Sequence, residues 1–241
     1  MGLSVTVLGC DGGYPGPGGA TSGYLVQAGG LKVLMDAGHG CLANLQAHLD
    51  PAELDAVILS HEHPDHWGDL EGLAVMRMGL GGATALPVYA PVGLRSHVYH
   101  DRPGLFDWSV VADGDAVELG ELKMSFSRTD HGPETLAVRL DADGSSLGFT
   151  ADTGPDWSIS ALGLGLDLAL CEATWLAGEE GGAARHLSAR QAGAMAAEAG
   201  AKRCVLTHRR PTVAGGASFA EGSEAYGSAV EQASVGAVFV L

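Results

Sequence analysis

Three apolar runs in this chain end in residues that bind metal ions or carry protons. The run AVILS (56–60) leads into His61, His63, Asp65 and His66. LGFTA (147–151) leads into Asp152, and RCVLT (203–207) leads into His208. Short apolar runs rich in β-branched residues read as strands. Polar side chains placed just beyond several strands converge when those strands lie side by side in one rigid scaffold. Loops at those strand ends can converge on a single site held by a rigid sheet.

The first segment, Ser60-His61-Glu62-His63-Pro64-Asp65-His66, is the densest. Imidazole nitrogen and carboxylate oxygen are the donors that zinc and related first-row metals accept in hydrolytic sites. Alternate residues of an extended loop point two histidines one way, and the following Asp-His pair serves a neighbouring ion. Core packing does not explain so many polar donors in so short a stretch. Further strands are expected at Ser4–Leu8, Gly23–Gln27, Lys32–Met35, Ala56–Ser60, Pro87–Ala90, Leu136–Leu140, Ser146–Ala151, Leu166–Cys171 and Arg203–Thr207. A helix is expected over Ala189–Ala199, with Ser188 as N-cap, Gln191 completing a capping box and Gly200 as the stop. Mixed strands and helices of this kind form layers of sheet covered by helix. At 241 residues the chain fits one domain, 1–241.

The pattern His-x-His-x-Asp-His after an apolar strand resembles the signature of the metallo-β-lactamase superfamily. The later ligands of that superfamily stand in order: His131 in RTDHGPE, Asp152 in FTADTG and His208 in VLTH. The N-terminal VLGC and the stretch LMDAGHG are similar to it as well. The resemblance implies an α/β fold, an αββα sandwich with the site at one edge. It implies two divalent metal ions, zinc first, with manganese or iron using overlapping ligands. His61, His63 and His131 would hold one ion, Asp65, His66 and His208 the other, and Asp152 would bridge them. Two close cations lower the pKa of a shared water and stabilise charge on an attacked ester or phosphate. Asp65 is a candidate acceptor for the nucleophile's proton.

Two further stretches, Cys171-Glu172-Ala173-Thr174-Trp175 and Arg185-His186-Leu187-Ser188, resemble the Glu-Ala-Thr and His-Leu-Ser/Thr motifs of the ribonuclease Z-like branch. The resemblance implies that Glu172 orients His186, which donates a proton to the leaving oxygen, a role suited to imidazole. On local sequence alone, His186 reads equally as an exposed residue before a helix and Glu172 as a solvated acid. Ribonucleases Z that process transfer RNA usually carry a long arm between the ligand histidine and the bridging aspartate. Only 20 residues separate His131 from Asp152, and no Lys- or Arg-rich insertion occurs elsewhere.

Charge bears on the substrate. With 29 acidic against 13 basic residues the formal net charge is −16, which repels nucleic acid outside a local basic patch. A small phosphodiester such as a cyclic nucleotide is therefore the leading expectation, with RNA 3′-end processing as a variant. A carboxylic-ester, thioester or lactone hydrolase on the same metals is the alternative, and a non-catalytic metal-binding protein is the third reading. Tyr14–Gly19 reads as a phosphate-facing loop or a plain connector. Trp67 reads as a base-stacking or packing residue, and Arg209 and Arg210 as a phosphate fork or surface charge. Met76 and Met78 read as core or lid. Cys10, Cys41, Cys171 and Cys204 lack CxxC spacing and are expected as free thiols. No secretory leader or membrane span is expected, so the expected location is the cytoplasm. A homodimer is compatible with the branch.

Overall fold

The computed structural model describes residues 2–79, 84–182 and 185–241. In chain order the first half forms β1 (Ser4–Gly9), β2 (Gly23–Ala28), β3 (Leu31–Ala37), α1 (Cys41–Leu45), β4 (Ala56–Ile58), α2 (Pro64–Trp67), α3 (Leu70–Gly79), β5 (Leu86–Ala90) and β6 (Phe106–Val110). The second half adds β7 (Ala116–Leu119), β8 (Leu122–Arg128), β9 (Leu136–Ala142), β10 (Ser145–Phe149), β11 (Leu168–Glu172), α4 (Ala189–Glu198), β12 (Cys204–Thr207), α5 (Gly215–Tyr226), β13 (Glu231–Gln232) and β14 (Val238–Val240). The strands form two seven-stranded sheets, the first made of β1–β6 with β14 from the second half added at its edge. The orders are β14-β1-β2-β3-β4-β5-β6 and β13-β12-β11-β10-β9-β8-β7.

The sequence dictates the layering through its period of two, since successive strand side chains face opposite sides. Val33 and Met35 of β3 join Leu168 and Leu170 of β11 in the core between the sheets, with Tyr24 against Phe149. The intervening residues face outward. Leu34 packs beneath Leu45 of α1 and Leu70 and Leu73 of α3. Ala169, Cys171, Cys204 and Leu206 pack beneath Ala189, Ala192 and Met195 of α4. The result is helix, sheet, sheet, helix, the αββα sandwich expected from the sequence.

Strands β3 to β6 run parallel, as do β10 to β13. Their carboxyl ends therefore share a rim in each sheet, which is where the candidate residues lie. Strand β4 stops at Ile58, short of the expected Ser60, because Ser60 leaves the ladder to donate its N–H to Asp36 Oδ1 at 2.8 Å. The stretch between His131 and Asp152 holds little besides the β9–β10 hairpin, closed by Asp143 (φ 52°) and Gly144 (φ 78°). Two residues with positive φ form the tight turn that matches strand twist. All four cysteines are free and buried. No helix among the described residues is long and apolar enough to cross a membrane.

Candidate metal centre

Each half of the fold contributes to one cluster of donors. The loop after β4 carries His61 and His63, and α2 carries Asp65 and His66, with His63 at its N-cap and Pro64 at its first position. His131 follows β8, Asp152 follows β10 and His208 follows β12. The backbone is bent to deliver them. Asp36, Ala151 and His208 take φ values of 55°, 50° and 50°, a conformation rare outside glycine that collects at functional sites.

The donors divide into two groups. His61 Nε2 lies 3.0 Å from His63 Nδ1, which lies 3.2 Å from His131 Nε2. Asp152 Oδ2 faces this group, 3.6 Å from His61 and 3.8 Å from His131. In the second group His66 Nε2 and His208 Nε2 are 3.2 Å apart, and Asp65 Oδ2 lies 3.3 Å from His208. Asp152 Oδ1 stands 3.3 Å from both of those nitrogens. One carboxylate thus turns an oxygen to each group.

The opposite edges of the rings are fixed. Ser60 Oγ meets His61 Nδ1 at 3.0 Å, Asp36 Oδ2 meets His66 Nδ1 at 2.7 Å, and the Arg185 carbonyl meets His131 Nδ1 at 2.9 Å. Thr174 Oγ1 meets His208 Nδ1 at 3.0 Å. Thr129 Oγ1 donates to the Asp152 carbonyl at 2.7 Å, and Gly13 N–H donates to Asp65 Oδ2 at 2.8 Å. Such outer partners set tautomer and orientation in metal sites.

The residues present fit divalent metal. Asp152 Oδ1 is buried without a hydrogen-bond partner, and buried polar atoms left so are costly. Imidazole nitrogens crowd one another at 3.0–3.2 Å, where lone pairs call for a shared cation. Burial pushes His61 and His63 down, towards the neutral form that ligates. Burial also pulls His66 down, but the Asp152 and Asp36 carboxylates outweigh it and hold His66 well above its usual range. Asp65 and Asp152, although buried, are held well below the usual carboxylate range by the surrounding imidazoles.

A cavity of about 270 Å³ opens onto both groups, lined by Tyr14, His63, Trp175, His186 and Arg210 among others. His186 donates from Nδ1 to Glu172 Oε1 at 2.9 Å. Burial lowers the His186 pKa, but Glu172 more than offsets it, and the ring is pushed up to about 9. Glu172 is fully buried and also accepts from Thr153 N–H at 2.9 Å, so it is no solvated loop acid.

Other residues singled out in the sequence divide between this cavity and elsewhere. Arg210 lies over the Trp175 ring at 4.1 Å and is paired with Glu179. Arg209 is turned away from the cavity toward Gly215, so the two arginines form no fork. Trp67 packs with the outer core of the first sheet and donates Nε1–H to the Glu62 carbonyl at 2.8 Å. In the Tyr14–Gly19 loop, Gly16 N–H is taken by Asp11 Oδ2 at 2.9 Å and Gly19 N–H by the Gly16 carbonyl, leaving Tyr14 as its contribution to the cavity wall. Met78 is exposed and Met76 half-buried on α3. Sequence reasoning passed over Asp36, Thr174 and Trp175, although each stands inside a stretch it quoted.

Residues 32–209 match the family described as the Beta-lactamase superfamily domain. The chain belongs to that superfamily, whose members of this kind are metallo-hydrolases. Among its relatives, "Uncharacterized protein Rv1339" of Mycobacterium tuberculosis is 38% identical, covering 87% of this chain and 81% of that protein. The "Probable metallo-hydrolase YhfI" of Bacillus subtilis is 32% identical over 86% of each chain. The crystal structure of YhfI superposes with a TM-score of 0.92 at 29% identity, covering 99% of this chain and 100% of that one. The human short-form tRNase Z, at 22% identity, a TM-score of 0.77 and 98% coverage of both chains, shares the fold.

Proposed function

We propose that this metallo-hydrolase cleaves a small phosphodiester, a cyclic nucleotide being the leading candidate, with His186 as general acid. The observation that carries the reading is His186 on the wall of the cavity that opens onto both donor groups, its Nδ1 2.9 Å from the buried Glu172 carboxylate behind it. An alkoxide is a poor leaving group, and a positioned imidazole that delivers a proton to it is worth about 10²–10⁴ in rate. Holding Nδ1–H on Glu172 leaves Nε2 of His186 for the leaving oxygen.

His61, His63, His131 and Asp152 would hold one ion, and Asp65, His66, His208 and Asp152 the other; the donor set suits zinc. Bound ions would supply an activated water and stabilise charge building on the phosphoryl oxygens. Asp65, which accepts the Gly13 N–H, would take the proton of the attacking water. At about 270 Å³ the cavity is near the small end of ligand sites, which begin at about 300 Å³. That volume, the −16 charge and the two-residue turn closing the β9–β10 hairpin favour a small substrate over transfer RNA.

The test pairs metal content by elemental analysis with turnover of two phosphodiesters, one leaving as p-nitrophenolate and one as an alkoxide. Wild type should carry two metals. His186→Ala should lose about 10²–10⁴ in rate on the alkoxide substrate and far less on the nitrophenyl one. Equal turnover of the alkoxide substrate by both proteins sinks the acid assignment. Lactone or thioester cleavage with no phosphodiester turnover moves the protein to the carbonyl-ester class.

A further inference from the structure

Thr174 sits between Glu172 and His208, and its hydroxyl has one proton to give. Three acceptors or partners compete for it: Glu172 Oε2 at 2.7 Å, His208 Nδ1 at 3.0 Å and the His208 carbonyl at 3.1 Å. The carboxylate is nearest, and hydrogen bonds to an ionised acceptor are the stronger ones. With the hydroxyl proton on Glu172, the contact with His208 Nδ1 is satisfied when that nitrogen donates its N–H to the hydroxyl oxygen. The proton is then on Nδ1, and Nε2 presents a lone pair. That nitrogen is the one facing His66 Nε2, Asp65 Oδ2 and Asp152 Oδ1.

We propose that Thr174 is a positioning residue that carries the hold of Glu172 across to His208, so that one buried carboxylate sets both the proton donor and the second metal group. The inference rests on reading His208 as a metal ligand and extends that reading to the residues that fix its ring. Glu172 divides its oxygens accordingly. Oε1 takes His186 Nδ1–H, and Oε2 takes the Thr174 hydroxyl and the Thr174 N–H, the latter at 3.2 Å. The β11–β12 pairing, with Glu172 opposite Thr207, brings the two strand ends into register for this exchange. Valine at position 174 would keep the shape of the side chain and remove the relay. Serine would keep the relay.

The experiment is a zinc titration of the metal-free full-length protein against a chromogenic chelator, for wild type, Thr174→Val, Thr174→Ser, Glu172→Gln and His208→Ala. The expected result is a 10–100-fold weaker second zinc equivalent in Thr174→Val and in Glu172→Gln, the usual loss for an outer partner, with Thr174→Ser close to wild type. His208→Ala should lose that equivalent altogether. If Thr174→Val titrates like wild type while His208→Ala loses an equivalent, the proposal is wrong and the metal reading survives. Equal weakening in Thr174→Val and Thr174→Ser also overturns it, since the hydroxyl then makes no difference. Wild type binding no zinc removes the metal reading and the proposal together. Should Thr174→Val fail to fold, Thr174→Ala, which also removes the hydroxyl, carries the test, and a wild-type titration there overturns the proposal.

Discussion

Asp36→Asn is the sharpest probe of how the second donor group is held, because it changes one atom of a buried side chain. Asp36 takes Ser60 N–H on Oδ1 at 2.8 Å, and on Oδ2 it takes His66 Nδ1 at 2.7 Å and Ser60 Oγ at 3.0 Å. An asparagine offers one acceptor oxygen where all of these groups donate. In either amide orientation a buried donor faces the NH₂ group and goes unpaired, a cost of about 1–3 kcal/mol. For a chain of this size each kcal/mol moves the melting temperature by about 2–4 °C, so a fall of roughly 2–12 °C is expected. If the NH₂ faces His66, the ring escapes by carrying its proton on Nε2. That proton would then lie between His66 and the His208 and Asp152 atoms 3.2 and 3.3 Å away, masking the lone pair. Zinc affinity should drop 10–100-fold, or about 1.4–2.7 kcal/mol. Thermal melting of the metal-free protein and chelator competition of the zinc form measure the two effects separately. A variant that melts with wild type and binds zinc equally well would refute the view that Asp36 fixes the His66 ring.

Two more substitutions test the framing. A Cβ at Gly12 would stand 2.7 Å from the His208 carbonyl and 2.9 Å from its Nδ1. Gly12→Ala should therefore cost about 1–3 kcal/mol and weaken zinc binding, whereas an unchanged melt would mean that the loop yields freely. The Tyr24 hydroxyl bonds Thr207 Oγ1 at 2.6 Å between the two sheets. Tyr24→Phe should lower the urea midpoint by the equivalent of about 0.5–1.5 kcal/mol with an unchanged slope, and a midpoint equal to wild type would show that the bond contributes nothing.

Much of this architecture is legible in the chain because burial and ligation leave strong local marks. All nine expected strands form, and α4 begins after Ser188 with the capping box intact. Strand β8, LKMSFSR, carries a period-two pattern that marks it after the fact, with Leu122, Met124 and Phe126 buried. Helix α5 and strands β13 and β14 had weaker signals. Gly215–Tyr226 contains three glycines and small residues, and its place is set by packing on α4, where a Cβ at Gly193 would strike the Gly222 carbonyl. The donor residues were readable because their density has no packing explanation. Their supports were not, since Asp36, Ser60 and Thr174 are ordinary residues whose importance lies in partners up to 34 positions away. Arg209 and Arg210 show the same limit: adjacent in sequence, they part at the end of a strand.

The distribution of donors between the halves also governs when the site can exist. His66 and His208 are 142 positions apart, so the second group is absent until β12 has been made and laid beside β11. The first group is complete in sequence at Asp152, yet His131 leans on the Arg185 carbonyl, which comes later still. A ribosome-bound chain therefore offers an arriving ion only fragments. Each group draws donors from both sides of the sandwich, so neither is complete until the second sheet lies against the first.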